Sequence, residues 1–152
     1  MTSTICDAPS VFESQLDSLG ACSEARDWAR GKTRSEAWLA CERGDWMMWY
    51  LYHTDQDHDL LRLIVRRCVL NGIAGMVPMS VFAQDGANEA VKLMDGPARF
   101  FSAAMVRVTR VCWVQAEAEA TDADDSGLYS VRRASMLKFF ADIIRTYYPE
   151  VP

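Results

Sequence analysis

Five cysteines and two histidines are the residues of this chain with the widest chemical reach. Thiolate and imidazole are zinc ligands, and a thiolate beside an imidazole is a nucleophile. A zinc site wants Cys or His pairs two to four residues apart. Here Cys22 and Cys41 stand nineteen apart, and His53 and His58 share a polar loop with no cysteine beside them. Cys6, Cys22, Cys41, Cys68 and Cys112 form no compact framework, and their number is odd. They read as reduced, mostly buried thiols of a cytoplasmic protein, kept inert because burial raises a thiol's pKa. Asp122-Ala123-Asp124-Asp125 gathers carboxylates as a calcium loop does, without the glycine-centred twelve-residue spacing and terminal glutamate. No glycine-rich phosphate loop and no G-x-S-x-G elbow occurs. The expectation is therefore no catalytic residue, no metal and no cofactor.

Three groupings remain. Trp38, Trp46 and Trp49 with His53 are the candidates for an aromatic ligand box, although tryptophans at helical spacing among alanines and leucines are more often core. Five acids and no base fall between positions 117 and 125: Glu117, Glu119, Asp122, Asp124 and Asp125. Acids at a helix C-terminus oppose its dipole, so this placement costs a little local stability and makes a use in binding more attractive, although such a cluster is more often an exposed solubilising loop. Arg62, Arg66 and Arg67 on one predicted helix, and Arg132 and Arg133 on another, are available to pair with acids.

Helices have to position all of these. Ser10 is the predicted cap of a helix over 11–19, stopped by Gly20. A second spans 22–30, with Cys22, Ala25 and Trp28/Ala29 on its inner face and Gly31 as its stop. Thr33 and Glu36 fit a capping box for a third, which Gly44 should end. The run from Trp46 to Tyr52 is seven apolar residues, which periodicity alone gives to neither a strand nor a helix. The preceding Gly44, a cap at Asp45 and the helical neighbours favour a central helix. Residues 59–73 form an amphipathic helix with Leu61, Ile64, Val65 and Cys68 inward and Arg62 and Arg66 outward. Residues 80–94 read as one or two short helices broken near Asp85-Gly86. Phe101, Ala104, Met105, Val108, Val111 and Cys112 mark a helix to about 120, entered through Pro97, and 128–148 forms the last. Residues 22–31 and 87–96 share x-x-E-A-x-x-[W/L]-x-x-G, a single match that does not establish a duplication. The predicted fold is all-α, a compact single-domain bundle of about seven helices over 1–152, with a loose lead-in at 1–9 and a loose tail at 149–152.

A chain of 152 residues buries roughly 68–70% of its unfolded surface. Its formal charge of −5 argues against a direct nucleic-acid binder, which needs a dense cationic face, and favours a basic protein partner. The first ten residues lack a basic n-region and an apolar h-region, and the longest apolar run falls far short of the ~20 residues of a membrane span.

The stretch LGACSEARDWARGKTRSEAWLACERGDWMMWYL resembles the N-terminal signature of a bacterial and phage group of helical proteins labelled immunity proteins. The matching positions are Cys22, Ala25, Trp28, Ala37, Trp38, Cys41, Gly44, Asp45, Trp46 and Trp49, and the tail is similar through Ala141, Asp142, Ile143, Arg145 and Pro149. The strong part covers about a third of the chain; between these stretches Phe100, Phe101, Trp113 and the acidic loop depart from the group's alanine-rich pattern. The resemblance implies a helical fold and a non-catalytic role in neutralising a protein target. Together these readings predict a binding protein that occludes a toxin, or a host defence complex if the gene is phage-borne, through Glu117, Glu119, Asp122, Asp124 and Asp125. The alternatives are a small helical enzyme or ligand-binding protein with a tryptophan-lined pocket, and an oligomeric structural module. No oligomeric state is assigned.

Overall fold

A computed structural model describes residues 8–54, 56–76, 79–119 and 126–152, and of residues 112, 113, 115–119, 126 and 128 the backbone alone. The described residues form eight α-helices and no strand: α1 Pro9–Ser18, α2 Ser23–Ala29, α3 Arg34–Ala40, α4 Gly44–His53, α5 His58–Ala74, α6 Val81–Asp95, α7 Phe101–Glu119 and α8 Ser126–Tyr147. A single 3-10 turn, Ala98–Phe100, leads into α7. The all-α expectation holds. Among the described residues no helix is long and apolar enough to cross a membrane.

The chain divides into two compact units. One contains the described part of Met1–Cys41 together with Tyr148–Pro152. Here α1 opens at Pro9, not after Ser10: proline's missing amide costs nothing at a first-turn position, and Ala8 takes the cap. Gly20 and Gly31 lie at φ +76° and +74°, in the left-handed region that lets α1 and α2 stop abruptly. The capping box before α3 forms as predicted, with Thr33 Oγ1 accepting from Glu36 N at 3.1 Å and Glu36 Oε2 accepting from Thr33 N at 2.8 Å. Trp38 is buried, and its indole N–H donates to the Tyr148 carbonyl at 3.0 Å, tying the two sequence-distant parts of this unit together.

The second unit is Glu42–Tyr147. The run Trp46–Tyr52 is helical, with Met47, Met48, Tyr50 and Leu51 buried. Two predictions at its start are corrected. Gly44 does not end α3, which stops at Ala40; it opens α4. Its role is close approach, since a Cβ there would stand 2.5 Å from the Phe140 Cβ and 2.7 Å from the Ala141 amide of α8. Asp45 is no cap either: it is buried in the first turn, and both carboxylate oxygens accept from Arg43, at 2.9 and 2.8 Å. A buried carboxylate needs such a partner, which a solvent-facing cap would not supply.

α5 buries Leu61, Ile64, Val65 and Cys68 as expected. Arg62 is not on the wet side. It is half-buried over the Phe101 ring and donates to the Met94 and Gly96 carbonyls at 3.3 and 2.9 Å, closing the C-terminal end of α6 as a cation should. α6 itself runs unbroken through Gly86, which packs so tightly that a Cβ would come within 2.9 Å of Val111 Cγ2. That glycine joins two helices and does not interrupt one. α6 packs most extensively on α7, with Ala83, Ala87 and Val111 in one cluster. Along α7, Phe101, Ala104, Met105, Val108 and Val111 are all buried, as the spacing predicts; on α8 so are Leu137, Phe140, Ala141 and Ile144.

Candidate functional site

The outer face of α6 is built by default from its inner one. Ala83, Ala87, Ala90 and Met94 recur at helical spacing and are buried, so Phe82, Asp85 and Glu89 fall on the opposite side. Val81 and Phe82 are each 77% exposed, the most exposed large apolar side chains among the described residues. Asp85 beside them is exposed, while Glu89 pairs with Lys92 at 2.7 Å, an interaction that lowers the glutamate's pKa and raises the lysine's. An apolar anchor rimmed by charge is the usual anatomy of a protein-binding surface.

Of the five predicted contact acids, Glu117 and Glu119 lie in the last turns of α7, their side chains outside the described residues; Asp122, Asp124 and Asp125 lie outside them entirely. The short α6–α7 connection and the Gly86–Val111 contact make these helices antiparallel. The C-terminal end of α7 therefore lies at the same end of the pair as Val81 and Phe82.

Neither of two clefts on this chain is lined by Trp38, Trp46, Trp49 or His53. Trp38 is in the first unit, spent on Tyr148. In the second, Trp46 lies under the Arg43 guanidinium at 4.2 Å, and Trp49 lies against the His53 ring at 4.3 Å. His53 Nδ1 is 2.8 Å from the Trp49 carbonyl and donates to it. Among the described residues no three of His, Cys, Asp and Glu gather as a metal site would require. Cys41 and Cys68 are buried thiols as predicted, but Cys22 is exposed, because α2 begins one residue later and leaves it at the cap position. Cys6 and the Cys112 side chain lie outside the described residues.

The first cleft, of about 500 Å³, runs between α1 and α2 and is lined by Glu13, Asp17, Arg26, Asp27 and Arg30 among others. Its charges are spent on one another: Arg26 pairs with Asp17, Arg30 with Asp27, and Glu13 accepts from the Gly31 amide. The second, also about 500 Å³, lies between α7, α8 and the start of α4. Arg43, Arg110 and Arg133 line it with Tyr129 and Ser130, over an apolar wall of Val106, Ala134 and Leu137. Sequence reasoning singled out neither Phe82 nor Arg110. Reading 81–95 as one unbroken helix would have set Phe82 off the alanine stripe, and the apolar period of α7 already places Arg110 outside its core face.

Comparison with protein-family models, curated proteins and solved structures finds no match for this chain.

Proposed function

We propose that the protein is a cytoplasmic, non-enzymatic inhibitor of the immunity type, which neutralises a basic protein partner by occlusion and binds neither nucleic acid nor membrane directly. The observation that carries this reading is the Val81–Phe82 pair, 77% exposed at one end of α6 with Asp85 on the same face. Leaving two large apolar side chains in water forfeits roughly 1.5–3 kcal/mol each, a cost that docking against a partner recovers. The net charge of −5 adds the long-range attraction for a basic surface, and the acids Glu117, Glu119, Asp122, Asp124 and Asp125 are the proposed contacts that add to it. The similarity of the opening stretch to immunity proteins points the same way. A cognate toxin, or a host defence complex if the gene is phage-borne, is the partner class.

Copurification from the source cell identifies the partner, and titration calorimetry with the purified pair tests the surface. Phe82→Ala should cost about 2 kcal/mol of binding, roughly thirtyfold in affinity, as expected of an aromatic anchor. Neutralising Asp85 together with the five acids should weaken binding further and flatten its dependence on salt. A partner bound equally well by the Phe82→Ala protein would sink this surface; an unchanged salt dependence would sink the acidic contribution.

A further inference from the structure

We infer that the cleft between α7 and α8 binds a small phosphomonoester, its phosphate held by Arg110 and Arg133 and its organic body against Val106, Ala134 and Leu137. The argument starts from the charges. Arg43 is committed to the buried carboxylate of Asp45, and Glu42, the acid on the cleft's lining, lies 3.8 Å from Lys138. With those pairs set aside, Arg110 and Arg133 remain, and neither has an ion pair among the described residues. Two guanidinium groups on facing helices leave about two positive charges over a concave surface. A phosphomonoester carries about −1.5 to −2 near neutral pH and presents three oxygens, which suits two planar forks better than a single carboxylate does.

The rest of the cleft sets the size and character of the ligand. Its volume of about 500 Å³ falls in the range that encloses a small organic molecule, well beyond a bare phosphate. Leu137 is buried and Val106 half-buried, giving the body an apolar wall, and Tyr129 adds an aromatic ring to the lining. A mononucleotide has these dimensions and both kinds of surface.

Titration calorimetry on the full chain at low salt, with adenosine 5′-monophosphate, inorganic phosphate and adenosine as probes, tests the inference. Saturable binding is expected for the nucleotide, weaker binding for phosphate, and none for adenosine. Arg110→Gln with Arg133→Gln should reduce nucleotide affinity about tenfold or more, the loss expected when charge-assisted hydrogen bonds go. Arg66→Gln, which removes an arginine that does not line the cleft, should leave it unchanged; circular dichroism checks that each variant is folded. No saturable binding of either phosphate-bearing probe overturns the inference, as does an equal loss in Arg66→Gln, which would reduce the effect to net charge. Equal affinity for phosphate and nucleotide overturns the role of the apolar wall.

Discussion

Cys68 sits fully buried on the inner face of α5, and burial pushes its thiol up to about 12 from an ordinary 9.0, with Arg67 pulling modestly the other way. A raised pKa means that the folded chain keeps a proton that the unfolded chain gives up. The thiol's contribution to stability is thus complete below pH 9 and is lost as the pH rises toward 12, by up to about 1.4 kcal/mol per unit. Urea denaturation at pH 8 and pH 10.5 should show Cys68→Ala losing less stability between the two than the parent protein, and equal losses would contradict the assignment. A thiol reagent at neutral pH should modify Cys22 at once and leave Cys41 and Cys68 until the chain unfolds. Asp45 marks the limit of sequence reading at this scale. An aspartate after a glycine and before an apolar run has the pattern of a cap; only three-dimensional placement reveals that its carboxylate is enclosed and held by the arginine two residues earlier.

Between elements, the glycines separate turn chemistry from packing. Gly31 is at φ +74° with nothing within 4 Å of a Cβ added there, so Gly31→Ala pays only the backbone strain, about 1 kcal/mol. Gly44 has room for no Cβ at all where α4 meets α8, and the nearest atoms include backbone, so Gly44→Ala should cost about 3 kcal/mol or more. Chemical denaturation of the two variants gives the ranking, and a Gly31→Ala loss as large as that of Gly44→Ala would contradict it. This difference explains what was legible in the sequence. The apolar period of α5, α7 and α8 and the capping box of α3 are local rules, and they read correctly from spacing alone. Gly44 and Gly86 read as boundaries in the sequence because a glycine at a helix crossing and a glycine at a helix stop are the same letter. The exposed Phe82 is hidden by that same ambiguity at Gly86, and the arginine cleft needs the consecutive helices α7 and α8 to face each other, which no local spacing rule states.

At the scale of the molecule, the first unit draws on both ends of the described chain and the second is one continuous stretch. The Trp38–Tyr148 hydrogen bond belongs to the discontinuous unit, so Trp38→Phe should cost about 1 kcal/mol there and raise amide exchange in α2 and α3. Unchanged exchange in those helices would show that the bond contributes nothing to the unit. The same bond also carries a clock. Trp38 and Tyr148 lie 110 positions apart, and at about 5–20 residues per second the ribosome takes roughly 5–20 s to travel from one to the other. Throughout that interval the indole has no acceptor at Tyr148, whereas the continuous unit already has all its residues by the time Tyr148 is added. The unit begun first during synthesis is therefore the one completed last.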